Sequence, residues 1–368
     1  MKYSRISAWI GATIIFMVSA AAFAGNSHDS RPPKVDVSTF ASGLNNPRGL
    51  KFGPDGDLYV AEAGLGGTEL PPDDPDCVVP PPVGPYLGST TGSRISKFDH
   101  HGNRTTVVDG LPSSQTSANL GGLVSGVADI AFIGHRLYAI LAGAGCSHGV
   151  PSIPNALIRI HHDGSWDVVA DLGAYQRAHR VANPEPEDFE PDGTWYSMLA
   201  LRDQLYAVEP NHGEIVRISQ DGDIHRVIDV SASQGHVVPT ALIHHGVFFV
   251  SNLGVFPQDA GSSKVWAVTP SGRIRVVATG FNLVLGLAFD RRDRLYVLEA
   301  SAPPAPAPGT GRIVRLSPDG KKRVVIKDGL FFPTGMTFGP DGNLYVSNVG
   351  FGPPPVGLGE ILKIRLDD

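Results

Sequence analysis

The sequence predicts an all-β fold, a six-bladed β-propeller of four-stranded antiparallel blades. Three observations predict it. One short phrase recurs six times, each copy sits in the same four-strand unit, and the strand missing from the last unit stands at the other end of the chain. Internal repetition at this period is the signature of blades packed radially around an axis.

The phrase reads DLYVAE at 57–62, RLYAIL at 136–141, QLYAVE at 204–209, VFFVSN at 247–252, RLYVLE at 294–299 and NLYVSN at 343–348. Its aromatic anchors are Tyr59, Tyr138, Tyr206, Phe249, Tyr296 and Tyr345, and the last three spacings of 43, 47 and 49 residues suit a blade. The first two spacings, 79 and 68, are longer because of insertions. A first strand such as GLKF at 49–52 leads through Gly53-Pro54-Asp55-Gly56 into the anchor strand. Third strands follow as RISKF, LIRI, EIVRI, KVWAV, RIVRL and EILKI, and fourth strands as TTVV, DVV, RVI, RVV and RVVI. Asp-Gly turns between apolar runs mark hairpins, because glycine accepts the positive φ that strand twist demands.

The sixth unit has no fourth strand, since the chain ends just after EILKIRL. VDVSTFASGL at 35–44 resembles the fourth strands RVVATGF and RVVIKDGL, so the N-terminal strand is expected to complete the last blade. That closure removes both sheet edges.

The chain ahead of this strand is of another kind. Lys2 and Arg5, an apolar run from about Ile6 to Phe23 and Ala22-Phe23-Ala24 have the form of a secretory signal peptide. The expected organisation is signal peptide 1–24, linker 25–34 and propeller 35–368. The expected location is periplasmic or secreted, with no membrane span after cleavage. Net charge moves from −6 to −8, because Lys2 and Arg5 leave and no acid does. An acidic chain without a basic cluster excludes nucleic acid as a partner. A monomer is expected. The two cysteines, Cys77 and Cys146, fall in insertions of adjacent blades, and an oxidising compartment favours a disulfide between them.

Turns in a four-strand meander alternate between the two faces of the disc. The short Asp-Gly turns share one face, and the insertions at 64–92, 142–155, 172–195, 253–263, 301–311 and 349–359 share the other. The segment 172–195 carries Glu185, Glu187, Asp188, Glu190 and Asp192. Function concentrates on loops held by a rigid scaffold, so the loop-rich face is the expected working face. Its partner would be a small molecule, a glycan or an envelope protein.

Three residues after each anchor stand Glu62, Leu141, Glu209, Asn252, Glu299 and Asn348, polar in five blades of six. The first strands, which line the channel, contribute Arg48, Asp129, Ser197, Thr240, Leu285 and Thr334. His212, in the shortest loop between second and third strands, is expected nearest the channel mouth. Three readings of this polar ring stay open at this point. It is a ligand site with an acid/base pair acting on a bound small molecule, a site for a divalent cation such as Ca²⁺ or Zn²⁺, or wet channel lining. No HExxH, GxSxG, P-loop or EF-hand signature occurs.

The phrases GLNNPRGLKFGPDGDLYVAEAG, VSNLG, VSNVG and PTGMTFGPDGNLYVSNVG resemble the ScyD/ScyE family of exported propeller proteins, over essentially the whole chain after the signal. More broadly the repeats are similar to NHL repeats and to gluconolactonase-like six-bladed propellers. The first resemblance implies an exported binding or accessory protein. The second implies a metal-dependent hydrolase or lyase, with Asp129, Asn252, Asn348 and Glu299 as metal-site candidates. Where lactonase-type propellers carry Glu-Gly-Pro on the first blade, this chain has Asn46-Pro47-Arg48.

Overall fold

The computed structural model describes residues 34–184, 189–255, 257–302, 307–317, 320–350 and 357–367. The expected signal peptide, most of the linker, and Glu185, Glu187 and Asp188 lie outside the described residues. No helix among the described residues is long and apolar enough to cross a membrane.

Six sheets form the propeller, each a meander in which neighbouring strands pair antiparallel. The fourth blade is typical: Pro239–His245, Val247–Asn252, Ser263–Val268 and Ile274–Phe281 follow one another across the sheet. The recurring Asp-to-Tyr spacing has a local cause. The hydroxyl of Tyr59 donates to Asp55 Oδ2 at 2.9 Å and that of Tyr345 to Asp341 Oδ2 at 2.9 Å, so the anchor aromatic fastens its own hairpin turn. Gly56 closes that turn at φ 85°, where a Cβ would be strained.

Lys34–Leu44 pairs with Gly359–Asp367 in the sixth sheet, with Val35 opposite Leu366, Val37 opposite Ile364 and Thr39 opposite Leu362. The ring is therefore closed by the N-terminal strand, which begins at Lys34, one residue earlier than the sequence boundary. Between blades, apolar faces of successive sheets pack together. Ile140, Leu157, Met198, Leu205 and Val216 form one such layer, all fully buried.

Two features depart from the sequence reading. The first blade has a fifth strand, Val124–Ser125, paired with the end of a long fourth strand, Arg104–Gln115. The segment 172–195 opens with a helix, Leu172–Ala178, which Asp171 caps by accepting from the Ala174 N–H at 2.7 Å. An N-cap aspartate outweighed the surrounding turn-rich composition here. Cys77 and Cys146 form a disulfide with Cα atoms 5.3 Å apart, joining two short 3₁₀ turns, Pro75–Cys77 and Cys146–His148.

Candidate binding site at the channel mouth

The five polar residues that end the second strands do not face a common funnel. Each grips the connector entering its own blade. Glu62 accepts from the backbone N–H of Asn45 at 2.8 Å, Glu209 from Thr194 at 2.7 Å, Glu299 from Asn282 at 2.6 Å and Asn348 from Phe331 at 2.8 Å. Asn252 donates to the Val237 carbonyl at 2.9 Å and accepts from the Lys264 N–H at 2.7 Å.

The remaining valences are also engaged. Arg94 and Arg104 pair with Glu62, Arg312 with Glu299, Asn348 donates to Glu360, and Glu209 accepts from the Asn211 and His212 N–H groups. Buried backbone donors must be satisfied somewhere. The repeated slot does that work, which explains both its polarity and its periodicity. Leu141 is the exception because the connector into its blade, Val124–Ser125, is held by sheet pairing instead.

Asp129 is buried on the first strand of the second blade. It accepts from the Met198 and Ile130 N–H groups, both at 2.8 Å, and lies 3.7 Å from Lys51 Nζ. Burial pushes its carboxyl above the ordinary range, against the pull of Lys51 and those N–H donors. Gly49 packs against it so closely that a Cβ would fall 1.9 Å from Asp129 Oδ1. Asp129 and Lys51 line a channel cavity of about 30 Å³, room for little more than a water.

Tyr196 separates that small cavity from a larger one, since it lines both. Its hydroxyl donates to the carbonyl of Thr334, the residue just before the first strand of the sixth blade, Gly335–Phe338, at 2.6 Å. Arg48, itself buried, hydrogen-bonds Tyr196 and donates to the Val124 carbonyl. Burial pulls this guanidinium below its usual range and pushes the Tyr196 phenol up.

Above Tyr196, on the loop-rich face, lies a cavity of about 270 Å³. Pro82, Val83 and Tyr86 of the first insertion form one wall, and Leu120 and Leu123 another. Leu253, Val255, Val238 and Leu285 close the opposite side. Thr116, Glu190, Thr194, Asn211, His236 and Thr240 supply the polar atoms. Thr240 lines the cavity as a channel residue, its hydroxyl donating to the Val284 carbonyl at 2.5 Å.

One wall is braced from behind. Tyr86 donates to Glu190 Oε1 at 2.6 Å and its ring lies 4.4 Å from that of His148. His148 is fully buried, with Nδ1 3.0 Å from Ser114 Oγ, and burial lowers its pKa so that it stays neutral. The Cys77–Cys146 bridge joins the same insertion to the turn that carries His148.

Of the ring and channel residues picked out from the sequence, Thr240 and Leu285 line this cavity. Contrary to expectation, His212 is turned inward, its Nε2 facing the Glu190 carbonyl at 3.0 Å and its ring stacked on Phe189. The residues that build the pocket come from insertions without repeat register, so no spacing marked Tyr86, Glu190 or Leu253. The signal that pointed there was the one-sided distribution of the insertions.

The proposed channel metal site does not fit these residues. Asn252, Asn348 and Glu299 are committed to separate connectors and Asp129 to backbone donors, while Tyr196, which lines the channel cavity beside Asp129, is hydrogen-bonded by the Arg48 guanidinium. Among the described residues no group of three or more His, Cys, Asp or Glu side chains could hold a metal ion. A wider groove of about 560 Å³ lies between the first two blades on the opposite face, lined by Lys97, Arg136 and Arg159. Two of those charges already have carboxylate partners, Lys97 in Asp55 and Asp57, and Arg159 in Asp167.

No protein-family model and no curated protein matches the chain. Solved propellers do match across nearly all of it. A gluconolactonase from Xanthomonas campestris is 13% identical with a TM-score of 0.56, covering 92% of this chain and 96% of its own. A putative glucose dehydrogenase from Thermus thermophilus is 19% identical with a TM-score of 0.55, covering 90% and 100%. A virginiamycin B lyase from Staphylococcus aureus, solved with quinupristin, is 12% identical with a TM-score of 0.50, covering 91% and 99%. At these identities the likeness shows the fold alone.

Proposed function

We propose that this protein is an exported binding or accessory propeller, ScyD/ScyE-like in role, that holds a small and mainly apolar molecule at the channel mouth of its loop-rich face. The observation that carries this reading is the 270 Å³ cavity above Tyr196, walled by insertions from several blades. Ligand sites are concave, mostly apolar and fitted with a few polar groups, and this cavity has that composition. Its size favours a small molecule over a glycan chain or an envelope protein. Export to the periplasm or medium belongs to the same proposal and rests on the signal-peptide pattern and the disulfide.

A second reading, a lactonase-like hydrolase or lyase, draws on the relatives that share the fold. Fold likeness alone does not carry chemistry, and the metal-dependent version asks for donors that this channel has committed elsewhere.

The test is titration of the purified protein with an apolar fluorescent probe such as anilinonaphthalene sulfonate. Saturable binding is expected, lost in Val83→Arg and in Leu253→Arg, because each places a charge in the cavity. Unaltered probe binding in both variants would overturn the assignment of this pocket.

A further inference from the structure

We propose that the groove between the first two blades, on the face opposite the mouth pocket, is a second binding site and takes an acidic saccharide, a sugar ring that carries a carboxylate. None of its residues lines the mouth pocket, so the two sites stand or fall separately. The groove holds about 560 Å³, about twice the mouth cavity. Its apolar surface comes from both blades. Tyr59 of the first and Phe132 of the second meet edge to face with ring centroids 5.0 Å apart, and Val107 and Leu137 flank them.

The polar surface is made of donors. Lys97, Arg136 and Arg159 line the groove, and no aspartate or glutamate does. The nearby carboxylates are engaged elsewhere. Asp55 and Asp57 lie 3.3 and 3.1 Å from Lys97 Nζ, and Asp167 pairs with Arg159 and His161. Asp163 accepts from the N–H and the hydroxyl of Ser165 in its own turn. Both arginines keep donors in reserve. Arg136 is exposed and reaches only Gln220 among the described residues, through Nη1 at 3.0 Å. Arg159 uses Nη2, on Asp167 at 3.0 Å, and its Nε has no hydrogen-bond partner among the described residues. A guanidinium carries five N–H donors in a fixed fork, so each has room for a second acceptor.

The titratable lining does not reverse this. His135, His161 and His162 line the groove, and protonation of any of them adds positive charge. Burial pushes the Tyr59 phenol up to about 12, so it stays neutral.

A lining that donates and scarcely accepts suits a ligand group that only accepts, and a carboxylate is such a group. Arg136 and Arg159 stand on neighbouring strands, with Leu137 opposite Ile160 and Tyr138 opposite Arg159. The aromatic side asks for an apolar face on the same ligand. A uronate offers both, with C–H groups on one face of its ring and the carboxylate at the edge. Its hydroxyls stay in water or meet Thr105 and Thr106, which are exposed.

Two trisaccharides test this by calorimetry on the purified protein at low ionic strength: trigalacturonate and the neutral maltotriose. Trigalacturonate is expected to bind on the order of tenfold tighter, as hydrogen bonds to a charged group imply, and to weaken as salt rises. Arg136→Ser with Arg159→Ser should erase the preference. Arg136→Ser alone removes an exposed side chain and should lower trigalacturonate affinity several-fold in a folded protein. Val83→Arg, in the mouth pocket, should leave it unchanged. Equal affinity for the two trisaccharides overturns the acidic class, and failure of both to bind overturns the site. Undiminished binding in the double variant overturns the placement, as does loss of binding in Val83→Arg, which moves the saccharide to the mouth pocket.

Discussion

Glu62 and Asn45 are joined by a 2.8 Å hydrogen bond from the Asn45 backbone N–H to the carboxylate, tying the end of one strand to the connector that enters the same blade. The same carboxylate accepts from Ser96 Oγ at 2.5 Å and pairs with Arg94 and Arg104, while being wholly buried itself. Glu62→Ala would strand two guanidinium groups and a backbone donor. A loss of about 3–5 kcal/mol is expected, the usual result of breaking a buried charge network from one side. Urea unfolding reads it, and a change under about 1 kcal/mol, the size of a solvent-exposed ion pair, would contradict this account.

Closure of the ring makes a second prediction. Deleting residues 34–44 exposes the Gly359–Asp367 strand as an edge. Unpaired edges recruit other chains, so light scattering should show self-association of the truncated protein at concentrations where the intact one is monomeric.

The disulfide spans 69 residues of sequence. Loop-closure entropy assigns such a crosslink roughly 4 kcal/mol. Cys77→Ser with Cys146→Ser should lower the melting temperature, while pocket binding persists, because Ser117 separately holds the wall through the Val83 and Pro82 carbonyls. Intact-mass analysis of alkylated protein should find no free thiol before reduction.

Glu214 gives a pH prediction. Burial pushes its carboxyl up to about 7 despite Arg226 and Gln176 beside it. A raised folded pKa means the folded state holds its proton longer than the unfolded one. The stability linked to Glu214 is thus fully present below about pH 4.5 and is lost as pH rises toward 7. Relative to wild type, Glu214→Gln should therefore gain stability progressively across that window. A difference in melting temperature that stays constant from pH 5 to pH 8, roughly the range bracketing this titration, would refute it.

Metal dependence is the fifth test. With Asn252, Asn348, Glu299 and Asp129 all engaged by the protein itself, calcium, zinc and a chelator should leave the melting temperature of the wild type unchanged. Mass action requires a rise if a folded-state metal site exists.

Much of the fold was legible because its cause is local and repeated. Asp55 and Tyr59, or Asp341 and Tyr345, meet across a single hairpin, so the turn and its anchor are written within five residues. Closure was equally readable, since the Val35 strand has no partner in its own neighbourhood and the last strand, paired on one side with Leu344–Asn348, has none nearby for its other side. The helix at Leu172–Ala178 and the fifth strand at Val124–Ser125 were not, because both are single departures from the repeat.

The site divides the same way. Sequence by itself determined that Glu62, Glu209, Asn252, Glu299 and Asn348 are equivalent and polar, and that the long loops gather on one face. Only the tertiary structure decided that those five side chains turn toward the connectors and that the cavity on the loop-rich face lies among Tyr86, Glu190, Tyr196 and Leu253. Periodicity fixes which residues share a position in the blade. It does not specify which way a side chain turns at a strand end, where an N–H of the connector competes with the channel for the same oxygen. The buried N–H wins because leaving it unpaired costs more than drying the channel.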